Sequence, residues 1–182
     1  MKLQANSRRG FTLLELVVVI VIISILVVVA LNRLLPFVDE AERVSVLQLE
    51  GQLRSTLMME AAERIVRGQS VTITELNGTN PVNFLADPPK NYVGELKAAE
   101  RATAPPRHWY FDDSEKRLVY RLGDPFALNA SRDGMQDPAF AVRVAYADRD
   151  GNGHFDASQD ELIGVRLERV SGAEWLAGMA SN

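Results

Sequence analysis

From Leu16 to Leu31 every residue except Ser24 is apolar, and the residue directly before this run is a glutamate. Such uniformity does not describe one face of a globular helix. About 20 apolar residues cross a bilayer, so the run predicts a membrane-spanning helix. Glu15 is out of place at its start, because an ionised carboxylate is costly in hydrocarbon and an intramembrane acid points to a function. Ahead of it stand Lys2, Arg8 and Arg9 with no acid among them, then Gly10 and Phe11. The positive-inside rule keeps this end cytoplasmic and sends the rest of the chain across the membrane. A secretory signal would carry a shorter apolar region with a small-residue cleavage site on its far side. Here the glycine precedes the run. A plain signal anchor accounts for the length and leaves Gly10-Phe11-Thr12-Leu13-Leu14-Glu15 unexplained.

That block resembles the type IV prepilin signature, shared by type IV pilins and the pseudopilins of type II secretion systems. Gly10 matches the glycine before the processing site, Phe11 the residue that becomes the methylated amino terminus, and Glu15 the glutamate at the fifth mature position. The resemblance implies cleavage between Gly10 and Phe11 by a prepilin peptidase and N-methylation of Phe11. It also implies assembly of the hydrophobic helices into a filament core, where Glu15 neutralises a neighbouring subunit's terminal amine. Implied partners are the peptidase, other pilin or pseudopilin subunits and an inner-membrane assembly platform. The implied location is the inner membrane, with the domain periplasmic, and then a filament in the periplasm or at the cell surface. The signature covers about the first third of the chain and leaves the particular filament open.

The chain carries 20 Lys+Arg against 24 Asp+Glu, and loss of the three leader cations leaves 17 against 24, a mature net charge of −7. An acidic domain is a poor nonspecific binder of nucleic acid, whose backbone demands clustered cations; no nucleic-acid partner is expected. There is no cysteine, which removes the disulfide staple common in small exported folds. A bound metal becomes a plausible substitute.

After Leu31 the pattern turns amphipathic. Val38, Ala41, Val46, Leu49, Leu53, Leu57, Ala61 and Ile65 recur at helical spacing. Asp39, Glu40, Glu42, Arg43, Glu50, Arg54, Glu60, Glu63 and Arg64 fill the other faces. One long helix is predicted, with a kink or melted turn at Pro36 and a stop near Gly68. Val71-Thr72-Ile73 fits a short strand or the approach to a turn, and Val82 to Ala86 a single helical turn between breaker-rich segments. His108–Asp112 and Arg117–Arg121, joined by a turn, read as a hairpin. Residues 139–146 and 162–168 read as two further strands. The expectation is an α+β fold: a long N-terminal helix, membrane-spanning in its first half, packed on an antiparallel sheet of about four strands. Its parts are a cleaved leader at 1–10, a transmembrane and filament-core helix at 11–35, its amphipathic continuation at 36–68 and a β-rich domain at 69–182. Trp109, Phe111 and Tyr120 are expected to fill the sheet face toward the helix. The stretches Asn91–Glu95 and Trp109–Asp112 resemble the globular region of minor pilins of the mannose-sensitive haemagglutinin type of pilus, and also that of some pseudopilins.

Asp148-Arg149-Asp150-Gly151-Asn152-Gly153-His154-Phe155-Asp156 is the second informative stretch. Alternating oxygen donors with glycine interspersed match the first half of an EF-hand-type loop. Calcium takes six to eight oxygens. Asp148, Asp150 and Asn152 would supply side-chain oxygens, His154 its carbonyl, and Asp156 an oxygen directly or through water. The position of the closing bidentate glutamate holds Gln159, with Asp160 and Glu161 next. The flanks are strands rather than helices, so the site would be a calcium loop of weak, extracellular-type affinity. The competing reading is a solvated hairpin turn, because Asp-Gly and Asn-Gly also favour hairpins. Carboxylates around the histidine favour a hard cation over a transition metal.

No nucleophile elbow, phosphate loop, zinc-protease motif or dinucleotide fingerprint is present, and no enzyme activity is expected. Two function classes remain. One is a structural filament subunit, a minor one. The other is a monomeric membrane-anchored extracytoplasmic module that binds calcium or another ligand. Glu15 separates them, since only a filament gives it a partner.

Overall fold

The computed structural model describes residues 11–123, 136–153, 155–156 and 159–178. The chain divides into two compact units, Met1–Glu40 and Ala41–Asn182. A single 54-residue helix, α1 (Leu13–Val66), begins in the first and ends in the second. Its backbone stays helical at position 36, so the melted turn expected there does not form. One missing backbone donor is carried by the many intact turns on either side.

In the first unit, every described side chain from Phe11 to Leu34 is exposed. The helix is long and apolar enough to cross a membrane. Ser24, the one polar residue between Leu16 and Leu31, donates its hydroxyl to the Ile20 carbonyl at 2.8 Å, so that its donor is paired as a hydrocarbon surrounding would require. From Glu15 to Arg33 no other charge intervenes, a rise of about 27 Å at ~1.5 Å per residue. That span matches the ~30 Å hydrocarbon core of a bilayer.

In the second unit, Val46, Leu49, Leu53, Leu57 and Ala61 are buried at the spacing the sequence indicated. Ala41 and Ile65, assigned to the same face, are exposed, because the core covers only the turns between Val46 and Ala61. Two charges assigned to the outer faces are in fact inside: Glu42 is 7% and Glu50 3% exposed. Both survive because cations meet them. Arg169 grips Glu50 with two nitrogens, at 2.7 and 2.9 Å, and Arg54 adds a contact at 2.8 Å. Glu42 accepts from the Gly123 amide at 3.0 Å and faces Arg107 at 3.3 Å. The helix ends as a Schellman turn: Gln69 N–H donates to the Arg64 carbonyl and Gly68 N–H to that of Ile65. Gly68 takes φ +73°, the left-handed conformation this turn requires.

Ser70–Leu76 is a 3-10 helix rather than a strand, and Pro81–Phe84 is the expected single turn, capped by the Asn80 side chain. The sheet has five strands in sequence order: β1 (Tyr92–Leu96), β2 (Trp109–Asp112), β3 (Arg117–Tyr120), β4 (Ala139–Ala147) and β5 (Glu161–Ser171). β1 is the strand the sequence reading left out, and it runs parallel to β2; the other pairs are antiparallel. The parallel pair is possible because the chain crosses back through a 3-10 helix, Ala98–Thr103, before entering β2. Trp109, Phe111 and Tyr120 join the core with the buried helix residues, as the alternation implied. The opposite sheet face holds a smaller cluster of Tyr110, Val119 and Ala139 with Ala104. Asp112, fully buried, is clamped by Arg101 at 2.7 and 2.9 Å and caps the β2–β3 turn by accepting the Ser114 amide at 3.1 Å. After β5 the chain turns at Gly172 into a short helix, α2 (Ala173–Ala177). Gly172 has φ +72°, and a Cβ there would lie 2.5 Å from the Pro138 backbone. Only glycine fits.

Candidate functional site

Two stretches carry the chemistry singled out in the sequence, one in each unit. The first is the start of α1. Gly10 lies outside the described residues. Phe11 is 77% exposed and precedes the helix. Thr12 caps it: the Glu15 amide donates to Thr12 Oγ1 at 3.2 Å and the Leu16 amide to the Thr12 carbonyl at 3.1 Å. Glu15 is therefore the third residue of the first turn, where the helix dipole favours negative charge. Thr12-Leu13-Leu14-Glu15 is the spacing of a capping box, a local signal the sequence reading passed over. The cap fixes the first turn and holds Glu15 one turn into the apolar surface. Within the described residues the carboxylate is exposed, open to a partner from outside the chain.

The second stretch is the long connection between β4 and β5. Antiparallel pairing from Ala139↔Ser171 to Ala147↔Glu161 brings its two ends together. Asp148, Asp150 and Asp160 each offer a carboxylate oxygen, and these three lie within 4.8 Å of one another. Asp148 accepts the amides of Gly151 and Gly153, both at 2.8 Å. The Gly153 amide first, opposed by desolvation and joined by the Gly151 amide, holds the Asp148 carboxyl below its usual range. Asp150 accepts from the Asn152 amide at 3.1 Å and from its side-chain nitrogen at 2.6 Å. Asp160 spans the loop: its two oxygens take the amides of Arg149 at 2.9 Å and Asp156 at 2.7 Å.

Three of the expected ligands are thus gathered, and the rest stand differently. Asn152 turns its amide nitrogen to Asp150, so its oxygen would serve a metal only after the amide turns over. Glu161 is engaged by Arg149, the cation embedded between the two leading acids and overlooked in the sequence pattern. Asp156 is half-buried at the loop's return. His154 lies outside the described residues. The gathered donors are all carboxylate oxygens, which suits a hard divalent cation and not a soft one. Tyr146 packs edge-on against Phe155 at 5.5 Å and donates its hydroxyl to the Gly153 carbonyl at 3.0 Å, bracing the loop on the hairpin.

Comparison with known proteins bears on the first stretch. Residues 5–31 match the family model described as the prokaryotic N-terminal methylation motif, a type IV pilin-like signature. No curated protein and no solved structure matches the chain. Residues 5–31 thus carry a type IV pilin-like signature, and the helix that begins within them is consistent with membrane anchoring.

Proposed function

We propose that the chain is the precursor of a structural subunit, a minor one, of a type IV pilus-like filament or secretion pseudopilus. Prepilin peptidase cleaves between Gly10 and Phe11, Phe11 is N-methylated, and an inner-membrane platform feeds the subunit into the filament. The single observation that carries this reading is the methylation motif at residues 5–31, set on a helix whose apolar surface is exposed among the described residues. In a lipid-surrounded bundle the Glu15 charge is tolerable beside a cation, and the free amine of a neighbour's Phe11 supplies one. The minor-subunit assignment, in the mannose-sensitive haemagglutinin manner, rests on the likeness of Asn91–Glu95 and Trp109–Asp112 alone. Mass spectrometry of membrane-extracted protein, expressed with a prepilin peptidase, should show loss of the leader plus one methyl group. An intact leader, or cleavage beyond Leu31, overturns the proposal. Glu15→Val should leave a processed, inserted protein that is depleted from sheared filaments; normal incorporation removes the pairing.

The acid loop supports a second element of the same reading. Asp148, Asp150 and Asp160 would hold calcium, with Asn152, His154, Asp156 and Glu161 as further oxygen donors. Calcium would supply the local staple that a cysteine-free exported domain lacks. A monomeric, membrane-anchored calcium module is the alternative function, favoured only by this cluster; it leaves Glu15 without a partner.

A further inference from the structure

Arg33 ends the charge-free stretch that follows Glu15, and no described residue of the first unit accounts for it. Its side chain is exposed on α1, and among the described residues no ion pair or hydrogen bond engages it. The acids that follow, Asp39 and Glu40, stand six and seven positions on. Helical side chains meet at separations of three and four, so neither stands at ion-pair spacing from Arg33. An arginine is expensive in hydrocarbon, and cations concentrate on the cytoplasmic side of a membrane span. Arg33 lies at the other end, away from Lys2, Arg8 and Arg9. A cation placed there needs an anion from outside the described chain.

Depth, neighbours and shape say which anion. From Glu15 to Arg33 the helix rises ~27 Å at ~1.5 Å per residue, close to the thickness of a hydrocarbon core. With Glu15 at one boundary, Arg33 falls at the other, beside the phospholipid phosphates. Val29, Arg33 and Phe37 follow one another at four-residue spacing and, with Asn32, line one shallow recess on the helix. By register Val29 is at its membrane end and Phe37, 70% exposed, at its outer end. Large apolar side chains such as Phe suit the boundary between acyl chains and headgroups. A planar guanidinium matches phosphate oxygens two at a time. Its long stem can lie along apolar surface while the charged head reaches the headgroup layer.

We propose that Arg33, with the Asn32 amide beside it, binds the phosphodiester of a phospholipid headgroup at the far boundary of the span. The site rests on the membrane-spanning reading of α1 given above. Its effect is to fix how far the helix slides through the bilayer. With Arg33 removed, the uncharged run extends from Leu16 to Val38, and the far boundary loses its marker until Asp39. Inorganic phosphate offers the same oxygens, but nothing holds it at that depth.

The test reconstitutes the full-length protein in vesicles of phosphatidylethanolamine and phosphatidylglycerol, with Val38→Cys carrying a spin label. The chain has no cysteine of its own, so a single position is labelled. Accessibility of the label to oxygen and to a water-soluble relaxing agent reports its depth. Arg33→Leu should draw the label inward by about 5 Å, one helical turn, and Arg33→Lys should hold it in place. In the same vesicles, solid-state magnetic resonance of isotope-labelled arginine should show dephasing of a guanidinium carbon by lipid phosphorus. Arg33→Lys should remove that share of the dephasing. An unmoved label in Arg33→Leu, or equal dephasing in the parent and Arg33→Lys, overturns the proposal. Dephasing at Arg33 seen only after inorganic phosphate is added assigns the site to a free anion and overturns the lipid contact. An effect present at high protein density and lost in discs holding one copy assigns Arg33 to a protein partner, with the same consequence. Extraction of the parent by alkaline carbonate removes the membrane reading itself, and the site with it, whereas an inserted helix with an unmoved label removes the site alone.

Discussion

Glu50 shows what a single residue contributes when its burial contradicts its chemistry. A carboxylate 3% exposed in the helix-facing core would be strongly destabilising alone, because removing a charge from water costs several kcal/mol. Burial pushes its carboxyl up, yet hydrogen bonds from Arg169 and Arg54, with their charges, outweigh that and hold it below the usual glutamate range. The pair ties the middle of α1 to β5 across 119 positions of sequence. Because the folded-state value lies below the unfolded one, its contribution is complete above the unfolded value of about 4.3. It is lost as pH falls through the lower folded value. Thermal melts from neutral to acid pH should therefore show a steeper loss of stability in the parent than in Glu50→Gln over that window. At neutral pH, Glu50→Gln should cost about 2 kcal/mol, less than the ~3–5 of a fully enclosed pair, because Arg54 and Arg169 remain partly solvated. Parallel acid limbs for the two proteins would dismiss the pair as a pH-linked anchor.

At the level of elements, the β4–β5 hairpin makes the clearest prediction. Its acids are held close by their own loop's amides, so a bound divalent cation would relieve repulsion already built into the native state. Binding to the folded form alone stabilises by about 2.7 kcal/mol at a hundredfold excess over the dissociation constant. Millimolar calcium should raise the melting temperature of the parent, and Asp150→Ala should remove most of that gain. The calcium-free melting temperature of the variant should be unchanged or slightly higher. A parent melt indifferent to calcium would return the loop to an ordinary solvated turn. The sequence showed this hairpin well, because Val142, Val144 and Tyr146 alternate and Asp-Gly and Asn-Gly mark its tip. It showed β1 poorly: Tyr92-Val93-Gly94-Glu95-Leu96 is short, contains a glycine at φ +106° and is half-exposed, so little periodicity announces it. Parallel pairing of β1 with β2 depends on a crossover whose path no local pattern encodes. The burial of Glu42 and Glu50 was likewise invisible, since their partners Arg107 and Arg169 lie far along the chain. Asp148 and Asp150 follow the loop spacing and Asp160 stands one place past its closing position, whereas the engagement of Glu161 by Arg149 required the strand register.

The whole molecule combines two solutions to burying apolar surface. The first unit leaves its apolar helix exposed among the described residues, a surface consistent with membrane anchoring. The second unit has a complete core of its own, from Val46 on α1 to Leu176 on α2. Trp109 lies at its centre, with its ring 4.9 Å from Tyr120 and 5.9 Å from Phe140. Every residue of that core falls after Ala41. A fragment starting at Ala41 should therefore fold without the membrane segment and without detergent. Expected observations are a single cooperative thermal transition and a strong near-ultraviolet circular dichroism signal from the packed aromatic rings. The intact precursor should need detergent or lipid to stay in solution, because the exposed surface from Leu13 to Leu34 drives association. A fragment with helical far-ultraviolet signal, no aromatic signal and strong binding of a hydrophobic dye would be a molten state. That outcome would show that the core described here depends on the first forty residues, and the division into two self-sufficient units would fall.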